Sequence, residues 1–323
     1  MIINKICILG GSGFVGQSLA NRLARDGYQS RILTRRREKV KDNLILLPGL
    51  ELIEADIHDT NQLIKHFSGC DAVINLVGIL NESGRKGHGF NYVHVVLTQK
   101  IIDACLKTGI KRLLHMSALN ADAEHGISYY LKSKGEAENI AHAASIHNIK
   151  VTSFRPSVIF GHGDNFFNRF AFLLKITPRF FPLACPRAKF APVYVNNVTE
   201  ALVRSLSNPK CFGKRYNLCG PHMYTLQELV EYTARLLGIR QTIIPLSDIL
   251  SRIQAAIFDF VPGKPFSTDN YLSTKVDSIC EQNDLITLGI PVTAIEAVLP
   301  QYLSNKHHRA RYDEFRSESS RSI

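Results

Sequence analysis

The first 155 residues alternate short apolar, β-branched runs with longer stretches whose apolar residues recur every three or four positions, and few folds accept that rhythm. An apolar run followed by an amphipathic crossover is the repeating unit of a parallel sheet covered by helices on both faces. Strands are expected at Lys5–Leu9, Ser30–Thr34, Leu52–Ala55, Ala72–Val77, Arg112–Met116 and Lys150–Phe154, and helices at Val15–Asp26, Thr60–Phe67, Tyr92–Thr108 and Tyr129–His147. Gly27 and Gly109 follow two of these helices as stops, because glycine takes the left-handed conformation that ends a helix. The expected class is α/β, a doubly wound parallel sheet. After Pro156 the rhythm breaks: residues 157–192 are rich in Phe, Pro and Arg, with a helix at Asn197–Leu206, a strand at Arg215–Leu218 and a helix at Leu226–Leu237. This reads as a sheet domain of residues 1–157 with a return at about 192–219, and a second, smaller α/β lobe of 158–191 and 220–304. The polar, aperiodic stretch 305–323 reads as a disordered tail.

Lys and Arg exceed Asp and Glu by 11, so anionic partners are expected: nucleotide phosphates, lipid headgroups or an acidic protein face. No nucleic-acid recognition motif accompanies the charge, and nucleic acid is not expected. The seven cysteines form no CxxC pair and have no histidines at zinc spacing, which argues against a disulfide scaffold or a metal cluster and for a reducing, cytoplasmic setting. The histidines, including His115, His142 and His147, have no convergent partners in sequence, and no metal is expected. The opening apolar run is far shorter than a signal sequence or the ~20 residues that span a bilayer.

Between the first strand and the first helix stands Gly10-Gly11-Ser12-Gly13-Phe14-Val15-Gly16, with glycines three apart. A diphosphate resting on a helix amino end needs bare N–H groups there, and side chains would hold it off. Gly10 permits the turn, Gly13 the approach of phosphate and Gly16 the packing of helix on sheet, so a Rossmann-like cofactor site is expected. The second strand ends Thr34-Arg35-Arg36-Arg37 with no acid to meet ribose hydroxyls, and Arg35 can fork onto a 2′-phosphate. NADP(H) is therefore favoured over NAD(H), with Arg36 and Arg37 in a solvated loop. Asp56 and Ile57 are expected beside the adenine, and Leu76, Val77 and Gly78, with Met116 and Pro156, at the strand ends along the cofactor.

Tyr130 and Lys134 lie one turn apart on a predicted helix, after a strand whose end carries Ser117. An ammonium beside a phenol favours its anion, so Tyr130 would pass a proton, Lys134 would hold the nicotinamide ribose and Ser117 would bind the substrate oxygen. The competing reading makes Tyr130 a packing residue and Lys134 only a ribose ligand.

Together, the glycine spacing, the strand-end serine and Tyr-x-x-x-Lys resemble the extended or atypical short-chain dehydrogenase/reductases over residues 1 to about 300. The finer resemblance is to the branch containing the dehydrogenase-like accessory subunit of respiratory complex I and its bacterial relatives. It is carried by Val93-His94-Val95; by His115-Met116-Ser117-Ala118-Leu119; by Arg155-Pro156-Ser157-Val158-Ile159-Phe160-Gly161 with Asp164, Phe166, Asn168 and Phe170; and by Pro192-Val193-Tyr194-Val195, Tyr216-Asn217-Leu218-Cys219-Gly220-Pro221 and Tyr224-Thr225. That resemblance implies a tightly held NADPH, often without demonstrated turnover, and a place at a membrane-bound quinone-reducing assembly, peripheral on the cytoplasmic face of the inner membrane. The short interval from Ser117 to Tyr130, and Thr34-Arg35, depart from the sugar-nucleotide epimerases and dehydratases.

From Asn165 to Thr199 there is no acidic residue, while Arg169, Lys175, Arg179, Arg187 and Lys189 stand among phenylalanines. Residues 165–190 thus read either as a membrane or membrane-complex contact, with room for an isoprenoid tail, or as a core helix with snorkelling basic ends. Three functions follow: an oxidoreductase acting on a carbonyl or alcohol of a hydrophobic, quinone-related small molecule; a non-catalytic NADPH-holding subunit or assembly factor; and a sugar-nucleotide epimerase or dehydratase.

Overall fold

The computed structural model describes residues 2–177 and 179–304; the expected tail at 305–323 lies outside them. Six strands follow one another through the first half of the chain: β1 (Lys5–Leu9), β2 (Gln29–Thr34), β3 (Leu50–Glu54), β4 (Ala72–Asn75), β5 (Arg112–Met116) and β6 (Lys150–Pro156). Between them run α1 (Phe14–Arg25), α2 (Thr60–Phe67), α3 (Leu97–Thr108) and α4 (Tyr129–Ala143). Then come α5 (Phe166–Ile176), α6 (Val195–Ser205), β7 (Arg215–Leu218), α7 (Leu226–Leu237) and α8 (Asp248–Phe258).

One seven-stranded sheet holds β1–β7 in the order β7-β6-β5-β4-β1-β2-β3, and every pairing is parallel. Order reverses at β1, between β4 and β2, which is where such sheets open a crevice at the carboxyl ends of their strands. Strands β1, β4 and β5 are buried along most of their length because helices cover both faces. One core cluster gathers Cys7, Leu9, Phe67, Val73, Ile101 and Leu113.

Two local departures from the expected elements have visible causes. Strand β4 stops at Asn75, whose side-chain oxygen accepts the amide of Val77 at 3.1 Å and turns the chain. The helix expected from Tyr92 begins as a wider π-helical turn, Asn91–Val96, that carries His94 inward before α3 continues.

The chain divides into two compact units. The first comprises the residues up to Ser157 with Val195–Cys219 and Cys280–Pro291, and contains the sheet. The second comprises Val158–Tyr194, Gly220–Ile279 and residues 292–304. Its core joins Phe160, Phe167, Leu174, Phe181, Leu229 and Leu299. A parallel ladder pairs Phe180–Leu183 with Thr242–Pro245.

The cysteine reading needs correction. Cys219 and Cys280 form a disulfide across 61 residues, which no local spacing announces. The same contact explains why Cys280–Pro291, read from sequence as part of the smaller lobe, lies in the first unit. There Asp284 accepts the Asn217 amide at 2.7 Å and Asn283 donates to the Cys219 carbonyl at 2.8 Å.

Candidate functional site

The glycine bend divides into residues the protein needs for itself and one it does not. Gly10 has φ +77°, and a Cβ there would lie 3.0 Å from the Leu76 carbonyl carbon. At Gly16 a Cβ would stand 2.4 Å from the Gly10 oxygen and the Gly11 Cα, so only glycine lets α1 sit this close to the bend. At Gly13 it would meet only the Gly10 oxygen, at 3.3 Å. Gly13 is exposed and begins α1 without a side-chain cap, and Ser12, Phe14 and Val15 around it are half-buried. The first turn of α1 has no acidic residue, and Arg22 and Arg25 close its far end. The helix dipole thus points its positive end at the bend. This cradle fits a diphosphate.

At the end of β2, Thr34 is buried and Arg35 exposed. The structure adds a carboxylate that the sequence of β2 lacks: Glu54, in register with Thr34 on β3, accepts the Arg37 amide at 3.0 Å. Beyond β3, Asp56 accepts the His58 amide at 2.9 Å and Ile57 is buried. His58 stacks on Tyr92 at 4.1 Å and 14°, an aromatic pair that sequence reasoning missed because its members are 34 positions apart. Burial lowers the pKa of His58; Asp56 opposes that, while Lys100 and Arg35 add to it.

Further along the strand ends, Leu76 and Val77 are half-buried, Gly78 is exposed and Met116 is buried. Lys134 is buried and donates to the Met116 carbonyl at 3.0 Å and to the Val77 carbonyl at 3.5 Å. Burial pulls its pKa down to about 8, against the opposing pull of Glu138. A Cβ on Gly78 would come within 3.0 Å of its Nζ. Tyr130, half-buried, sets its ring edge-on to Phe90 and His94 at 6.0 and 5.8 Å. His94 is locked by Ser133 at 2.8 Å and by the Ile79 amide at 3.2 Å, and Ser133 donates to the Tyr130 carbonyl. Burial first, then Lys134, pushes its pKa down to about 2, so it is a neutral strut.

Ser117 is placed differently from the role expected of it. Its hydroxyl is buried and donates to Glu138 at 3.2 Å. Glu138, fully buried, also pairs with Arg155 at 2.8 Å and Arg215 at 3.3 Å. Pro156, half-buried, accepts the Leu119 amide at 3.1 Å and so anchors the segment after Ser117. Lys134, Glu138 and His142 recur every four residues along α4, and His142 bonds Ser153 of β6 at 3.0 Å. In the neighbouring register His115 faces Asn75 at 3.4 Å, and its Nε2 is buried without a partner. A polar seam therefore runs between α4 and the sheet.

A bare glycine bend at the reversal of strand order, with a buried lysine holding the ends of two parallel strands, defines a dinucleotide-binding α/β protein. The chain belongs to the NAD dependent epimerase/dehydratase family, whose pattern matches residues 6–219. It is 30% identical over 272 residues to the mitochondrial NADH dehydrogenase (ubiquinone) 1 alpha subcomplex subunit 9 of Mus musculus, covering 81% of this chain and 68% of that protein. It is 24% identical over 312 residues to the mitochondrial NADH-ubiquinone oxidoreductase 40 kDa subunit of Neurospora crassa, covering 95% and 80%. Among solved structures, MoeE5 in complex with UDP-glucose and NAD shares the fold, with a TM-score of 0.64 at 21% identity over 76% of this chain and 85% of that one.

Proposed function

We propose that this chain binds NADP(H) in preference to NAD(H) and acts as an oxidoreductase on a carbonyl or alcohol of a small hydrophobic, quinone-related molecule. The observation that carries the reading is Lys134, a buried ammonium held against the Val77 and Met116 carbonyls at the strand ends. The bare amides around Gly13 would receive the diphosphate, and Arg35 a 2′-phosphate. Bound nicotinamide supplies or accepts the hydride. Tyr130, one turn from the Lys134 charge, would pass the proton to or from the substrate oxygen. Ser117 would act at one remove, by fixing Glu138, instead of binding that oxygen.

That engagement of Ser117 also favours a second reading, a subunit that holds NADPH without turning it over at a membrane respiratory assembly; the mouse and Neurospora relatives are named as subunits of a mitochondrial NADH-ubiquinone oxidoreductase. One set of measurements tests both. Mass spectrometry of the purified chain should find a retained dinucleotide, with NADPH bound more tightly than NADH and the order reversed in Arg35→Glu; equal affinities would end the charge argument. Addition of short-chain quinones and aliphatic aldehydes should oxidise bound NADPH in the unaltered chain and not in Tyr130→Phe, whose affinity for NADPH should be unchanged. Oxidation by none of them supports the holding subunit.

A further inference from the structure

Helix α8 is built inside out. Its buried residues are the small Ser251 and Ala255, while Ile249, Leu250, Ile253 and Ile257, with Phe260 just beyond, are between 50% and 75% exposed. Ile249, Ile253 and Ile257 stand four apart and so form one stripe. The inward side explains the orientation: Ser251 Oγ accepts the Cys185 amide at 3.0 Å, and Gln254 donates to the Pro182 carbonyl at 3.2 Å, a close approach that large residues would prevent.

The acids at the two ends of α8 are engaged by neighbouring side chains. Asp248 is engaged by the Tyr271 hydroxyl at 3.0 Å and by Lys275, and Asp259 by the Thr268 hydroxyl at 2.6 Å. Lys175, Arg179, Arg240 and Arg252 are exposed. The Arg179 carbonyl accepts the Thr242 amide at 2.9 Å, which ties the acid-free segment to the ladder strand leading into α8. The ladder also leaves Phe180 and Ile244 exposed. Among the described residues no helix is long and apolar enough to cross a membrane.

An apolar stripe on a helix too short to span, with exposed cations on the helix itself and on the segment tied to its ladder, matches a surface that lies in the headgroup layer of a membrane. We propose that α8 and the adjoining ladder dock on an anionic lipid bilayer, with Ile249, Ile253, Ile257 and Phe260 entering the acyl boundary and Lys175, Arg179 and Arg252 meeting lipid phosphates. Neither cofactor choice nor turnover enters this assignment. It keeps the basic end of the contact expected at 165–190 and adds the apolar stripe of α8 to it, while α5 buries Phe167, Ala171 and Leu174 in the core of its unit.

The test is co-sedimentation of the full chain with vesicles of phosphatidylcholine and phosphatidylglycerol, against phosphatidylcholine alone. The unaltered chain should bind the anionic vesicles and be released by salt. A triple variant, Ile249→Ser with Ile253→Ser and Ile257→Ser, should bind about tenfold more weakly or worse. Arg179→Gln with Arg252→Gln should lose the preference for anionic lipid. Each variant should keep the melting temperature of the unaltered chain. Failure of the unaltered chain to bind, equal binding to neutral vesicles, or undiminished binding by the triple variant would overturn the proposal. So would a dimer of the unaltered chain that the triple variant converts to monomers, which would assign the face to a second copy.

Discussion

Helices α4 and α8 both break the rule that charge faces water and hydrocarbon faces inward, and they break it in opposite senses. Helix α4 hides Lys134 and Glu138 against the sheet, whereas α8 buries Ser251 and Ala255 and shows its isoleucines to solvent. What differs is where the compensation lies. Each inward polar group of α4 meets a partner inside the protein: carbonyls for Lys134, two arginines and a serine for Glu138, and Ser153 for the half-buried His142. The exposed stripe of α8 has no such compensation among the described residues, and the proposed counterpart for it is a lipid surface. An inverted element that is satisfied within points to a site; one left unsatisfied points to a contact.

This contrast can be broken by mutation. The largest expected effect is at Glu138→Gln, which keeps the shape but leaves Arg155, Arg215 and Lys134 without a carboxylate. The expected loss is about 3 kcal/mol in urea unfolding, the low end for a buried pair because both arginines keep contact with water. A change within about 0.5 kcal/mol would mean the seam is not energetically coupled.

Acid sharpens the same side of the comparison. His94 and His115 are held neutral, at about 2 and about 3 against an ordinary 6.5, burial being the first cause and the Lys134 charge the next. With folded values below the unfolded one, the unfolded chain takes up protons first. Stability is full above the ordinary histidine range and is lost as pH falls through the folded values, by about 1.4 kcal/mol per pH unit for each group. Urea midpoints measured from neutral pH downward should show that slope, and His115→Gln should remove about one proton from it. The smallest effect belongs to α8: Ile249→Ser should change stability by less than about 0.5 kcal/mol, since that side chain is 73% exposed. A loss of several kcal/mol there would show the stripe to be core.

The parallel sheet was legible because each strand and its crossover announce themselves within a dozen residues. The Tyr130–Lys134 spacing and the glycine bend are likewise local, fixed by one helical turn and by where a Cβ can fit. Less was legible where partners come from distant segments. Glu54 beside Thr34, His58 against Tyr92 and Ser117 on Glu138 each depend on strand register or helix packing, and the Cys219–Cys280 bond joins residues 61 apart. Sequence by itself determined which segments are strands and helices and where the backbone is left bare for phosphate, since these follow from short-range sterics and the period of apolar residues. Only the tertiary structure decided which polar groups find each other and which apolar face stays uncovered, because both depend on contacts between segments that no local pattern encodes.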